Sequence, residues 1–516
     1  MSRPSAAGLA VAVIGTGSRA QIALHVAVAR PDARVVAAVD TEEAGRRRAR
    51  ELFGDVTVHA DHHALLAAGG IDAAILCTPD HTHADIAVDL LRAGVAVYVE
   101  KPLATTLADA DRVLTAAVDT GVPLYVGHNF RHSGVVRAMR AVIERGEIGE
   151  VKAVWVRHFV GNGGDYYFKD WHADRSKTGT LLLQKASHDI DVVHYLASGY
   201  SRRVVGMGDL MIYGGITDRR ERVGQTMPDW FSFDNWPPAA QTGMNPVVDV
   251  EDVSMMLMQL DNGVMASYQQ CHFTPDYWRN YTVIGTEGRL ENVGDTAGGV
   301  VKVWDRRHEW QVAGDREYPI EGVVSGHADA DLLTMREFLD LVVDGVPTVV
   351  SPVAAREAVA AGALAAESLR DGSRPRDVPP LPQHVLDHFA RPPRPRRDPG
   401  VSPGSKRDRV VDYVLHGAPT TFTMADLREA LPGIGDGTIR STLGRLTAAG
   451  TVTPGPPAGG RAGRGSNPRA PSRARRSARP PTPARRGPGR AAGRRPSRPR
   501  GPPARRPRGW HGPRRR

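Results

Sequence analysis

Residues 9–20 read LAVAVIGTGSRA, and the fold turns on them. Leu9–Ile14 is apolar without alternation, the pattern of a strand buried on both faces. It runs into Gly15-Thr16-Gly17-Ser18-Arg19-Ala20, a glycine turn that opens a helix expected over Ser18–Arg30. Gly15 permits the tight turn, Gly17 lets backbone approach a pyrophosphate, and small Ala20 allows close helix–strand packing. The N–H groups at the helix start complete such an anion site. Asp40 closes the next apolar run, Val35–Val39, 20 residues after Ala20. An acid there accepts hydrogen bonds from the adenosine ribose and repels a 2′-phosphate. NAD is therefore the expected cofactor, with NADP as the alternative because Arg46, Arg47 and Arg48 follow on the next helix.

Outward from this turn the alternation continues. Thr41–Phe53, Asp80–Ala93 and Leu107–Thr120 have helical spacing, and Ala73–Cys77, Val95–Val99 and Val122–Val126 are short apolar runs. The pattern predicts a doubly wound α/β domain on a parallel sheet over residues 1–127. Beyond Gly127 the texture changes. Val151–Val160, Val253–Leu260, Val264–Gln270 and Tyr281–Ile284 read as strands, and Asp261-Asn262-Gly263 as a hairpin turn between two of them. With helices at Val135–Glu144, Thr334–Val343 and Val353–Leu369, residues 128–372 form an α/β domain on a mostly antiparallel sheet. Residues 373–405 read as a Pro/Arg linker, 406–456 as a small helical module, and 457–516 as a disordered Arg/Pro-rich tail.

Composition supports that division. The net charge of +10 hides 20 Arg and no acid between Arg461 and Arg516, which leaves 47 basic against 57 acidic side chains in the rest. Such a tail is expected to bind polyanions without sequence preference, with affinity falling steeply as salt rises. The same composition also arises when GC-rich DNA is read out of frame. Two cysteines exclude a disulfide-stapled scaffold, and no apolar run reaches the ~18 residues of a membrane span. The expected setting is cytoplasmic, without a membrane partner.

Three further clusters sit where chemistry is expected. Thr78-Pro79-Asp80-His81-Thr82-His83 follows a strand's carboxyl end, where ligands bind in such sheets. Asp80 is expected to cap the next helix, and the histidines here, with His59, His62 and His63, are not expected to hold a metal, since no Cys or carboxylate stands at ligand spacing. Glu100-Lys101-Pro102 ends another strand; Lys101 either meets a substrate oxygen or is solvated. Thr78, Pro79, Asp80, His83, Glu100 and Lys101 are assigned to the cofactor cleft. The third cluster is Gln184-Lys185-Ala186-Ser187-His188-Asp189-Ile190-Asp191, in which His188 and Asp191 open a helix three residues apart. His194 lies about 120° round from His188 and is expected to face core or solvent. Trp171-His172 and Tyr166-Tyr167 precede this cluster, either to stack on a sugar ring or to fill the core.

Taken together, the glycine turn, the TPxxxH stretch, Glu100-Lys101-Pro102 and the HxxD helix resemble the Gfo/Idh/MocA family of NAD(P)-dependent oxidoreductases over residues 9–372. The resemblance implies a Rossmann domain, a second domain with a large open sheet through which copies associate, and oxidation or reduction of a sugar, polyol or inositol hydroxyl. By resemblance Lys101 orients the reacting oxygen, His188 is the acid/base, and Asp191 completes its HxxD pair. Trp171, His172, Gln184 and Lys185 join Lys101 and His188 on the substrate side. Gln184 departs from inositol-dehydrogenase-like members, which carry Asp there; Lys185 reaches the pocket if a turn begins beside it. Two alternatives keep the body but change its use: an NAD-dependent glycosidase-type relative, and a DNA-binding regulator. The second is motivated by residues 407–452, which resemble a winged helix-turn-helix module with Leu427, Leu431, Ile439, Leu443 and Leu446 as its core.

Overall fold

The computed structural model describes residues 8–322, 328–391, 410, 423–440 and 443. The chain divides into two units, residues 1–408 and 409–516. In the first, β1 (Leu9–Ile14), β2 (Ala33–Val39), β3 (Thr57–His59), β4 (Ala73–Leu76), β5 (Ala96–Glu100) and β6 (Leu124–Gly127) pair in parallel in the order β3-β2-β1-β4-β5-β6. Every residue of β4, β5 and β6 is buried, which is why these strands read as unbroken apolar runs. The fold class is the expected one. The helix after the glycine turn differs in detail: Ser18–His25 is wound as a 3-10 helix before one α turn, Val26–Ala29. Strand β3 and the helix His62–Ala68 are too short for periodicity to expose.

The second sheet has nine strands. They are β7 (Val151–Phe159), β8 (Ser201–Asp209), β9 (Val253–Leu260), β10 (Met265–Cys271), β11 (Trp278–Gly285), β12 (Arg289–Val293), β13 (Val300–Trp304), β14 (Arg316–Pro319) and β15 (Arg376–Asp377). Their order is β14-β13-β12-β11-β7-β10-β9-β8-β15, antiparallel except for the β7–β10 pair. Gly263, at φ +85°, takes the left-handed position of the β9–β10 hairpin. One face of the sheet alternates cleanly, with Met256, Met258 and Leu260 inward and Met255 and Leu257 outward.

The chain then returns to the first sheet. Helix Ala328–Asp344 lays Met335, Phe338, Leu339 and Val342 against one of its faces. Helix Pro352–Arg370 serves two cores: Ala358, Ala361 and Ala365 lie under the nine-stranded sheet, and Val353, Ala355 and Val359 against the other face of the Rossmann sheet. The linker expected from residue 373 is corrected by two ordered elements. Arg376–Asp377 extends the large sheet as β15, and helix Gln383–Ala390 buries Val385 beside Leu381 on the Rossmann core. A few apolar side chains at helical spacing outweigh the surrounding Pro and Arg. Residues 392–405 lie outside the described residues.

In the second unit, helix Met424–Ala430 opens with a capping box of Thr423 and Asp426, and Val410, Leu427, Leu431, Ile434 and Ile439 form a small core. The wing, expected after Ala449, lies outside the described residues. The expected tail lies outside the described residues, as do most of the helices expected at Arg407–His416 and Gly437–Ala449.

Phe338 is fully buried, with its ring 5.7 Å from Tyr98 and 6.0 Å from Tyr125. Phe338→Ala is expected to cost about 3–5 kcal/mol, the usual range for emptying such a site, read as a lowered midpoint in chemical denaturation.

Candidate active site

At the carboxyl end of β1, Gly15 sits at φ +85°, and a Cβ there would stand 2.7 Å from the Cys77 carbonyl oxygen. Only glycine fits. A Cβ on Gly17 would meet nothing within 4 Å, and the following 3-10 helix has no side-chain cap. The turn is thus an uncapped helix start with open space above it, which suits the pyrophosphate of a dinucleotide. Ala20 is fully buried, as close packing requires. Asp40 is held from three sides: Thr16 donates from its N–H (2.9 Å) and hydroxyl (2.6 Å), and the Glu42 N–H donates at 2.9 Å. Arg46 donates to the carbonyls of Asp40 and Thr41, and Arg48 to those of Thr16 and Gly224. These two arginines are engaged with backbone beside the fixed carboxylate.

Several residues assigned to the cofactor cleft hold it together instead. Arg19 donates through Nε to Glu100 at 2.7 Å and forks onto Asp331 at 2.6 and 2.7 Å. Glu100 also accepts from the Tyr98 hydroxyl and the Lys101 N–H. His83 spans two loops, with Nδ1 2.8 Å from the Pro102 carbonyl and Nε2 2.9 Å from that of Thr78. Pro79, and not Asp80, occupies the cap position of the next helix, and Thr82 donates to the Thr78 hydroxyl and the Pro79 carbonyl. The Asp80 carboxyl is buried 3.4 Å from the Thr178 hydroxyl. Burial raises its pKa against the pull of His83, His172 and Lys101.

The reactive end lies where β5 meets the second domain. Lys101 donates from Nζ to the Gln184 carbonyl at 2.8 Å, four residues before His188. Burial lowers the lysine's pKa, opposed by Asp80 and Glu100. Residues Leu181–Gln184 form a helical turn rather than a strand, so Lys185 caps it and swings its amine to 5.5 Å from the Tyr167 ring centre. The Gln184 side-chain oxygen is buried without a hydrogen-bond partner. His188, 7 % exposed, opens helix Ser187–Ala197, its ring 5.7 Å from Phe130 and 6.4 Å edge-on from His128. Asp191 is paired with Arg131. Both its oxygens take hydrogen bonds from Arg131 at 2.7 Å, and this pairing holds its pKa low despite burial. His194 faces the core and Ser201. Trp171 stacks on His172 at 3.7 Å, with His172 fixed by Asp170.

Sequence reasoning missed the groups beneath this pocket. Arg279 on β11 is 2 % exposed, its guanidinium 4.2 Å from the Phe130 ring centre and its Nε 3.2 Å from Asp189. Asp189 also accepts from the Tyr281 hydroxyl and faces His158 at 3.2 Å. Asp189 stood inside the Gln184–Asp191 cluster without a role; a lone Arg on an alternating strand gave no signal at all. His62, His63 and Asp89 do gather ligand atoms within 4.8 Å of one another, which spacing along the chain did not reveal.

Residues 9–128 match a profile described as the oxidoreductase family, NAD-binding Rossmann fold, and residues 140–378 its C-terminal alpha/beta domain. Neither reaches the residues assigned to a winged helix, and that resemblance is not supported. The chain is 29 % identical to 1-carboxy-3-chloro-3,4-dihydroxycyclo hexa-1,5-diene dehydrogenase of Comamonas testosteroni, over 44 % of this chain and 55 % of that protein. The matched part thus spans about half of that relative. It is 30 % identical to a putative UDP-kanosamine synthase oxidoreductase subunit of Amycolatopsis mediterranei (strain S699), over 54 % of this chain and 72 % of the relative. Myo-inositol 2-dehydrogenase of Thermotoga maritima (strain ATCC 43589 / DSM 3109 / JCM 10099 / NBRC 100826 / MSB8) is 25 % identical over 70 % of this chain and 96 % of its own. In fold, the chain is similar to levoglucosan dehydrogenase in complex with NADH and levoglucosan, with TM-score 0.60 and 19 % identity over 72 % of this chain and all of the other.

The Arg19 fork gives a direct test. Arg19→Met removes the cation shared by Glu100 and Asp331, whose side chains are 7 % and 10 % exposed. Breaking a fully buried pair costs about 3–5 kcal/mol. Because Arg19 itself is 34 % exposed, solvent screening brings the expected loss to about 2–3 kcal/mol, read by denaturant titration.

Proposed function

Since the chain belongs to the Gfo/Idh/MocA oxidoreductase family, we propose that it transfers hydride between NAD and a hydroxyl- or carbonyl-bearing carbon of a sugar, polyol or inositol-like ring. The observation that carries this reading is the convergence of Lys101 and His188 on one turn beside the open glycine cradle. The inositol and ring-diol dehydrogenases among the relatives favour a cyclic substrate bearing several hydroxyls.

The cofactor would be held by the backbone of Gly15–Ala20, by Asp40 and by the Thr78–Pro79 loop. When bound, NAD supplies a hydride acceptor, and NADH the donor. Lys101 donates a hydrogen bond to the reacting oxygen and stabilises the negative charge that builds there. A lysine whose pKa is already lowered by burial gives or shares that proton more readily than a solvated one. His188 takes the hydroxyl proton in oxidation and returns it in reduction. Asp191 acts at one remove, as a positioning residue: through Arg131 it fixes the helix that presents His188. Tyr167 and the Trp171–His172 stack wall the pocket and exclude water. We assign the outward face of the nine-stranded sheet, with Trp155, Met255, Leu257 and Met265 exposed, to contact with a second copy of the chain.

Two outcomes are expected. In a substrate screen over inositols, aldoses and sugar acids followed by NADH absorbance, Lys101→Ala and His188→Ala each lower kcat by about 10²-fold or more with little change in NAD affinity. Full activity in either variant removes this mechanism. In a cofactor titration NAD binds more tightly than NADP, by on the order of tenfold or more, because the held Asp40 carboxylate opposes a 2′-phosphate. The reverse order would show that the arginines of helix Glu43–Phe53 control the site.

A further inference from the structure

Beside the motif helix sits a lysine amine that pairs with no carboxylate among the described residues. Lys185 is half-buried, and among the described residues its amine makes no ion pair and no hydrogen bond; it lies 5.5 Å from the centre of the Tyr167 ring. Lys169, which is buried, behaves as expected of a buried cation and sits 2.5 Å from Asp165. The carboxylates near Lys185 are already committed. Asp189 is shared by Arg279, Tyr281 and His158, and Asp295 accepts from the Tyr277 hydroxyl at 2.9 Å. The remaining neighbours deepen the surplus. Arg279, though paired with Asp189 at 3.2 Å, adds its own positive charge, and Lys101 brings a second amine. Burial, with Arg279 and Lys101 adding to it, holds the Lys185 amine well below the usual lysine range. Position 184 is Gln, so no carboxylate stands next to Lys185 in the chain, and Asp189 and Asp295 only partly offset the effect of burial.

An unanswered buried charge is costly unless a ligand supplies its partner. We propose that the substrate carries an oxyanion substituent, a carboxylate or a phosphate, that takes charge-assisted hydrogen bonds from Lys185 above the field of Arg279. This rests on the reading of the cleft as the substrate pocket. It narrows the substrate from polyhydroxylated rings in general to acidic ones: sugar acids or sugar phosphates. It also explains why Gln stands where an acid would repel such a substrate.

The test uses the full-length protein saturated with NAD and three matched probes: glucuronate, glucose 6-phosphate and glucose. Calorimetry measures binding and NADH absorbance measures turnover. The expected result is that one acidic probe binds more tightly than glucose, and that Lys185→Met lowers this acid-to-neutral ratio by about 10- to 100-fold, the scale of one charge-assisted hydrogen bond. Lys185→Arg, which keeps the charge, should restore part of the ratio. Which acid is preferred decides between carboxylate and phosphate. Equal binding of all three probes, or an acid preference that Lys185→Met leaves in place, overturns the proposal. So does loss of turnover on every probe with the binding ratio unchanged, which would make Lys185 a proton-transfer group. Selective acid binding without turnover would instead overturn the dehydrogenase reading and leave the oxyanion site standing.

Discussion

A single guanidinium holds the cleft in register. Arg19 leaves the glycine turn, crosses to Glu100 at the end of β5, and forks onto Asp331 of helix Ala328–Asp344. Three segments far apart in the chain meet on one side chain. Asn129 adds a hydrogen bond to Asp331 at 2.7 Å, which brings in the connection out of β6. Because Glu100 is fixed by Arg19, Tyr98 and the Lys101 N–H, the backbone that carries Lys101 is fixed with it. Lys101 then reaches the Gln184 carbonyl and so locates the turn before His188. The geometry of catalysis in this reading follows from that ion pair.

Buried charge in this region falls into two kinds. Arg131 and Asp191, Arg19 with Glu100 and Asp331, and Lys169 with Asp165 are matched, and matching is what makes their burial tolerable. Lys101 and Lys185 are not matched by a dedicated carboxylate; Lys101 has a carbonyl and Lys185 an aromatic face. Both have pKa values lowered chiefly by burial. Groups left in this condition are the ones a ligand can satisfy, and perturbed titration in a cleft points the same way. Gln184 belongs to this argument. An Asp in its place would convert the unmatched lysines into a matched network and remove the driving force for binding an anion.

Much of this was legible in the sequence, and the limits were physical. Strands such as Val253–Leu260 and the helix Leu107–Thr120 appear with the bounds that periodicity predicts, because burial of one face is a local signal. The glycine turn was legible because Gly15 answers a steric demand that no other residue meets. Strand β3, three residues long, and β15, two residues long, are edge pairings with too few positions to show a period. The helix Gln383–Ala390 was hidden by Pro and Arg around it, although Leu381, Val385, Leu386 and Phe389 suffice to dock it. The ion pairs were out of reach altogether. Arg19 and Asp331 are 312 positions apart, and nothing local marks either as the other's partner.

That limit also sorts the motif residues. His83, Glu100 and Asp191 stand in the recognisable strings, yet each has its polar atoms occupied by protein: carbonyls for His83, Arg19 and Tyr98 for Glu100, Arg131 for Asp191. A side chain whose hydrogen-bonding capacity is filled can position its neighbours, but it has little left to offer a substrate. Lys185, the Gln184 side-chain oxygen and the space above Gly17 are the converse, being capacity without an internal partner. A motif therefore marks a region in which chemistry and scaffolding are interleaved, and membership in it does not say which role a residue plays. Unfilled capacity does, because folding leaves a buried polar group unsatisfied only at a cost that binding can recover. On that criterion Gln184 and Lys185 are among the motif residues through which the proposed acidic substrate would be chosen.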